Sequence, residues 1–431
     1  MGTDRVERLL SDVYDFRSGL SKPASAFGSG HPFLTFKDVF YNYFVPDELG
    51  DLVNSTEAER NSCDIKRGDV FLTRTSETME ELGMSCVALR DIPFATFNGF
   101  SKRLRPKPES EIVPEFAGYF FRSPQFRRDV TAMSSMSTRA SLNNDMLSEL
   151  TIELPDCSIQ SAIGNTLKSL DDKIEQNRRT AQALERLARA IFRAWFVDFE
   201  PVKAKAAGAT AFLSMPQPLF DALPTRFVDS EIGPVPEGWE VRTLGEVVQL
   251  TMGQSPKSEF YNQEGEGLPF HQGVSDHGFR FPTRRVYCTV EGRIAEAGGI
   301  LLSVRAPVGR INVADVRMVL GRGLAGMRHL SGRQSFLLYQ MQHLFAEDDA
   351  VGDGTIYKSV NKKYLQEMPL LTAPTDVEED FEQLARPMDQ LIGSVSQESR
   401  RLSEMRDYLL PKLLSGAVRI DHTDMAMADG R

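Results

Sequence analysis

From Ile163 onward the apolar residues of this chain step by four and three: Ile163, Leu167, Leu170, Ile174, then Asn177, then Ala181, Leu184, Ala188, Ile191 and Trp195. A repeat averaging 3.5 residues is the seam of a coiled coil, and one polar residue on it fixes register at a cost in stability. The stretch LDDKIEQNRRTAQALERLARAIFRAWF (170–196) holds neither Gly nor Pro, so the pattern predicts a single long helix.

The pattern returns. Adding 218 to each seam position gives Phe381, Ala385, Met388, Ile392, Val395, Ser399, Leu402, Arg406, Leu409 and Leu413, all apolar except Ser399 and Arg406. The same offset matches Leu142 with Val360, Asn143 with Asn361, Leu147 with Leu365 and Glu149 with Glu367. Further upstream, CDIKRGDVFLTRTSE (63–77) resembles AEAGGILLSVRAPVG (295–309), with Gly68 over Gly298 at an offset of 230. A tandem duplication of a globular unit plus a long helix follows. A lone seam would expose apolar surface, so the two helices are expected to pair, antiparallel, as a spacer with a pseudo-twofold relation between the copies.

The globular stretches read as mixed strand and helix. Strands are expected within 33–45, 68–75, 298–304 and 309–316, and helices within 114–130 and 331–347. Prolines 201, 216, 218, 224, 234 and 236 stop the first helix and mark a linker, with Phe212, Phe220 and Phe227 as docking points. The expected fold is α+β: a first domain at 1–157, a coiled-coil helix at 158–197, a linker at 198–238, a second domain at 239–375, a second helix at 376–417 and a tail at 418–431.

Composition narrows the function. No run of eighteen apolar residues is present, so no membrane partner is expected. The start lacks the apolar core of a signal peptide. The scattered cysteines Cys63, Cys86, Cys157 and Cys288 fit a reducing cytoplasm and no zinc site. A net charge of −10 argues against nucleic acid on average, but local fields matter more. Basic residues gather at 101–107 in the first copy and at Arg280, Arg284, Arg285, Arg305, Arg310, Arg317 and Arg322 in the second. Arg and Lys beside Ser, Thr, Gln and Tyr in loops suit phosphate positioning and base-edge reading. The residues singled out are Thr73, Arg74, Thr75, Arg103, Arg105 and Arg139, then His271, Gln272, Arg305, Arg310, Tyr357 and Lys358.

Catalytic patterns are thin. GDGTIYKS (352–359) lacks the ending of a P-loop. Pro155-Asp156 followed by Asp171-Asp172-Lys173 imitates a metal-dependent nuclease motif, but its second half lies on the long helix. No catalytic residue and no metal ligand is expected.

The segment from Leu170 to Gly208 strongly resembles the central conserved region of type I restriction–modification specificity subunits. DSEIGPVPEGWEVRTLGEVV (229–248) resembles the entry to their second target recognition domain, and ESRRLSEMRDYLLPKLLSGAVRI (398–420) their distal conserved region. The resemblance spans nearly the whole chain. It implies a non-catalytic subunit that reads one half of a bipartite, asymmetric double-stranded DNA site with each domain. It also implies docking of two modification subunits, with S-adenosylmethionine, and of restriction subunits, with ATP and Mg, so that the cofactors sit in partners. The rival reading is a two-headed protein-binding scaffold without DNA readout.

Overall fold

The computed structural model describes residues 5–75, 81–134, 141–345 and 360–420. The chain divides into two compact units. One comprises Met1–Gln176 with Glu398–Arg431, the other Asn177–Gln397. Each is built on half of each long helix, Cys157–Phe196 and Thr375–Ser415. In the first unit Leu167 shares a core with Leu410 and Leu413, and Lys173 pairs with Glu398. In the second, Phe192 and Trp195 pack on Phe381. The start of one helix thus meets the end of the other, so the pair is antiparallel. All the seam positions, Asn177 included, are buried or half-buried.

The duplication extends to the sheets. In the first unit a four-stranded antiparallel sheet runs in the order Tyr14–Ser18, Ser101–Pro106, Val70–Thr73, Ser85–Val87. The second repeats it as Val248–Met252, Leu324–His329, Ile300–Ser303, Ile311–Val313. A short antiparallel pair ties the ends of each globular part together, Val6–Leu9 with Thr151–Leu154 and Glu240–Thr243 with Pro369–Thr372. A further sheet has diverged from three strands in the first unit to five in the second. Both versions keep one parallel pairing, Leu34 with Phe97 and His271 with Leu320.

Two expectations are corrected. The strand expected over 33–45 ends at Leu34, and Phe36–Tyr41 is a helix. Thr35 and Asp38 form a reciprocal capping box there, which starts a helix whatever the β-propensity of the residues that follow. The segment 198–238 is not a bare linker. It holds helices Glu200–Ala206 and Gln217–Ala222 and the hairpin Phe227–Ser230 with Gly233–Pro236. Val202, Leu219, Phe220 and Leu223 join the core formed by Phe192, Trp195, Phe196 and Phe381. Pro201, Pro216 and Pro218 sit at helix starts, where a missing N–H costs nothing, and Pro234 and Pro236 lie in the hairpin.

Each globular part is bolted to its helices by a Tyr–Asp hydrogen bond. Tyr119 donates to Asp171 at 2.7 Å in the first unit, and Tyr339 to Asp389 at 2.7 Å in the second. Burial, and then the Asp171 charge, raise the Tyr119 pKa so that it remains a donor. Arg406, a polar exception on the seam, donates to Asp171 at 2.6 Å.

The second unit also carries an acid-sensitive pair. Burial, then Arg333, lowers His329 from 6.5 to about 4; burial, then His271, lowers His277 to about 4. Between these values the unfolded chain binds protons that the folded one refuses, so stability is present above pH 6.5 and is lost as pH falls towards 4. Melting temperature should therefore drop over that window, and His329→Gln should flatten the drop. An unchanged profile in the variant would remove His329 as a cause.

Candidate nucleic-acid interface

The second unit presents two adjoining hollows of about 490 and 400 Å³ that share Gln272 and Arg322. Gln254, Ser255 and Tyr261 line one; Asp276, Arg285 and Arg305 line the other. The backbone explains why these side chains converge. Beyond strand Leu268–His271, Gly321 N–H donates to His271 O at 2.8 Å and Gly323 N–H to Gln272 O at 3.0 Å. Gln254 N–H donates to Leu320 O at 2.9 Å. Three loops are thereby stitched together, with glycines at the closest approaches. A Cβ on Gly321 would lie 2.5 Å from Gln272 Cα, and one on Gly253 2.1 Å from Gly321 O. Gln272, Arg305 and Arg322 remain exposed, while Arg285 pairs with Asp276 at 2.9 Å. Amide and guanidinium groups on a preorganised backbone are what bidentate contact to adenine and guanine edges requires.

The first unit repeats the stitch with other side chains. Asn98 N–H donates to Leu34 O at 3.1 Å and Leu20 N–H to Phe97 O at 2.8 Å. Thr35 stands where the second unit has Gln272, Leu20 where it has Gln254, and Gly99 where it has Arg322. Asn98 Oδ1 accepts from Phe100 N–H at 3.0 Å, holding Phe100 64% exposed. The two units offer different chemistry on one backbone plan.

Of the residues singled out in the sequence, Gln272 and Arg305 line the cleft and Arg310 is exposed near it, with its N–H on Ser303 Oγ. Four others are corrected, because the interior claims their polar atoms. His271 is fully buried and burial lowers its pKa. The Thr73 hydroxyl donates to Glu81 O at 3.0 Å and accepts from Met84 N–H at 2.9 Å. Arg103 is buried against Asp64 at 2.8 Å. Arg105 grips both oxygens of buried Asp69 at 2.7 Å. Arg74 and Thr75 are half-buried at the sheet's end. Arg74 is the counterpart of Val304. Leu142 N–H donates to Arg74 O as Val360 N–H donates to Val304 O, so Thr75 matches Arg305. In a strand, one residue of slip reverses the face. Arg139, Tyr357 and Lys358 lie outside the described residues, as does the whole of 352–359.

Arg322, Arg285, Gln254 and Tyr261 were not singled out, although both arginines stood in the basic set. The readable signal was the glycine pattern Gly321-Arg322-Gly323, which marks close backbone approach. The nuclease-like pattern dissolves. Asp156 precedes the helix and Asp171 lies fifteen residues on, about 22 Å away at 1.5 Å per residue. Among the described residues no group of acidic, His or Cys side chains could hold a metal ion.

Residues 6–186 match the type I restriction modification DNA specificity domain. The chain is 24% identical to the putative type I restriction enzyme MjaX specificity subunit of Methanocaldococcus jannaschii, over 96% of this chain and 93% of that one. It is 25% identical to the type I restriction enzyme HindI specificity subunit of Haemophilus influenzae, over 90% and 94% respectively. Its fold is shared by the crystal structure of a type I restriction–modification system S subunit from M. genitalium, with a TM-score of 0.61, 15% identity and coverage of 98% and 97%. The specificity domain thus lies in the first copy, its sheet order is repeated in the second, and over nearly its full length the chain is similar to type I restriction–modification specificity subunits.

Proposed function

We propose that this chain is the sequence-reading subunit of a type I restriction–modification complex, each globular part reading one half of a bipartite, asymmetric site on double-stranded DNA. The observation that carries this is the twice-built loop stitch, which keeps two of its three backbone bonds and changes the side chains it displays. A duplicated scaffold with divergent display suits two different half-sites better than two copies of one protein ligand. The subunit performs no chemistry. Methyl transfer to adenine, with S-adenosylmethionine, and translocation and cleavage, with ATP and Mg, belong to modification and restriction partners. The net charge of −10 is acceptable if DNA is clamped jointly with those partners.

Two modification subunits are expected. Leu187 and Met405 occupy equivalent positions on the two long helices at the 218 offset, and are 49% and 51% exposed. Apolar side chains displayed twice at one helical position suit two copies of one partner. Among the described residues no helix is long and apolar enough to cross a membrane.

Gln272→Ala and Arg322→Ala test the reading, assayed for methylation in the assembled complex. Losing a bidentate base contact costs about 1–3 kcal/mol, or roughly 5–150-fold in rate on the cognate site. Discrimination should relax in one half of the site alone. Wild-type rates and specificity in both variants would refute the interface. Binding by the complex that does not weaken with salt would favour the protein scaffold instead.

A further inference from the structure

The two Tyr–Asp bolts differ in where their arginine comes from. In the first unit Arg406 lies on a long helix, so its ion pair with Asp171 joins helix to helix, and the globular part contributes the Tyr119 hydroxyl and the Tyr43 ring face, 5.3 Å from the guanidinium. In the second unit the arginine is Arg280, from the globular segment between Asp276 and Thr283, and its side chain is 3% exposed. Arg280 Nη2 donates to Asp389 at 2.7 Å and to the Tyr339 hydroxyl at 2.9 Å. Its Nε lies 3.3 Å from Glu185. Glu185 is on the first long helix and Asp389 on the second, so one globular side chain engages both.

The segment bearing Arg280 is continuous with the cleft. Thr283 N–H donates to Asp276 O at 2.7 Å, and Asp276 lines the cleft and holds Arg285. Asn312 Nδ2 donates to Gly278 O at 2.9 Å and Val313 N–H to Arg280 O at 2.9 Å, which fastens the segment to the main sheet.

We infer that Arg280 is a positioning residue for the second half-site: it fixes the attitude of the cleft on the helix pair, and so the half-site spacing the complex accepts, without touching a base. A buried charge held by two carboxylates on separate helices has one low-energy placement, because any rotation uncovers an unpaired ion. This inference rests on the DNA-reading role proposed above.

The experiment uses the full chain assembled with its modification subunit. The methylated site is first found by methylome sequencing. Methylation rates are then measured on duplexes whose half-sites are one base pair closer or further apart. Arg280→Gln, and separately Asp389→Asn, should leave the recognised bases unchanged. Preference for the native spacing should fall about tenfold, the scale expected when reacting groups shift by ångströms. Hydrogen exchange over Ile300–Ser303 and Leu324–His329 reports whether the sheet remains folded. Strict spacing in a folded variant overturns the positioning role, as does loss of the fold in both variants, which makes Arg280 a stability residue. A wild-type complex that methylates no bipartite site overturns the DNA-reading role and this inference with it.

Discussion

Phe381→Ala should be among the most destabilising single changes in the chain. Phe381 is fully buried where the two long helices meet the second globular part. Its ring centroid lies 5.4 to 6.3 Å from those of Phe192, Trp195, Phe196, Phe336 and Tyr339. Truncating a buried phenylalanine costs about 3–5 kcal/mol, the upper part of the range applying where neighbours cannot collapse into the void. Here they cannot move easily. Phe336 N–H is held by Glu382 at 2.9 Å and Tyr339 by Asp389. The second unit should melt on the order of 10 °C lower, with exchange protection lost first in helix Gln334–Leu344. Phe381→Leu, which refills much of the space, should recover at least half of the loss. A melting temperature within a degree or two of wild type for the alanine variant would contradict this account of the core.

The legible part of the fold was what periodicity and repetition encode. The long helices announced themselves through a seam that needs no knowledge of any partner, and the duplication through one offset held across both. Where structure rests on contacts between distant segments, the sequence was opaque. Residues 198–238 look like a linker because their prolines forbid a long helix, yet Leu219 and Phe220 are core residues of the second unit. The basic clusters misled for a related reason. An arginine that pairs inside the fold and one that waits for phosphate read alike in sequence, and the difference lies in a carboxylate some thirty or more positions away, as with Asp64 and Asp69 for Arg103 and Arg105. Arg322 is flanked by glycines that are visible in the sequence, but their purpose appears only once Gln272 is seen packed against them. Arg406, a polar break in the second seam, is an irregularity that its pairing with Asp171 explains.

Those arginines give the last prediction. Asp69 is fully buried, accepts from Arg105 Nε and Nη2 at 2.7 Å each and also accepts from Lys66 N–H at 2.7 Å. Removing one partner of a buried pair leaves the other charge uncompensated and costs about 3–5 kcal/mol. Asp64 also contacts Arg105, at 3.0 Å, and retains part of the compensation, so Asp69→Ala should lie near 3 kcal/mol. Arg105→Gln should destabilise the first unit by a comparable amount, since it strands the Asp69 carboxylate instead. Neither should change how DNA affinity responds to salt. A phosphate-contacting arginine, by contrast, lowers the slope of log affinity against log salt by about one when removed, with little effect on stability. Thermal melting of the free chain and salt titration of the assembled complex separate the two roles. If Arg105→Gln melts like wild type and its salt slope falls by about one, Arg105 faces DNA and its grip on Asp69 is incidental. If the melting temperature falls and the slope holds, the basic run from Lys102 to Lys107 belongs to the interior of the first unit, and the surface that meets DNA there lies on the Asn98–Phe100 loop.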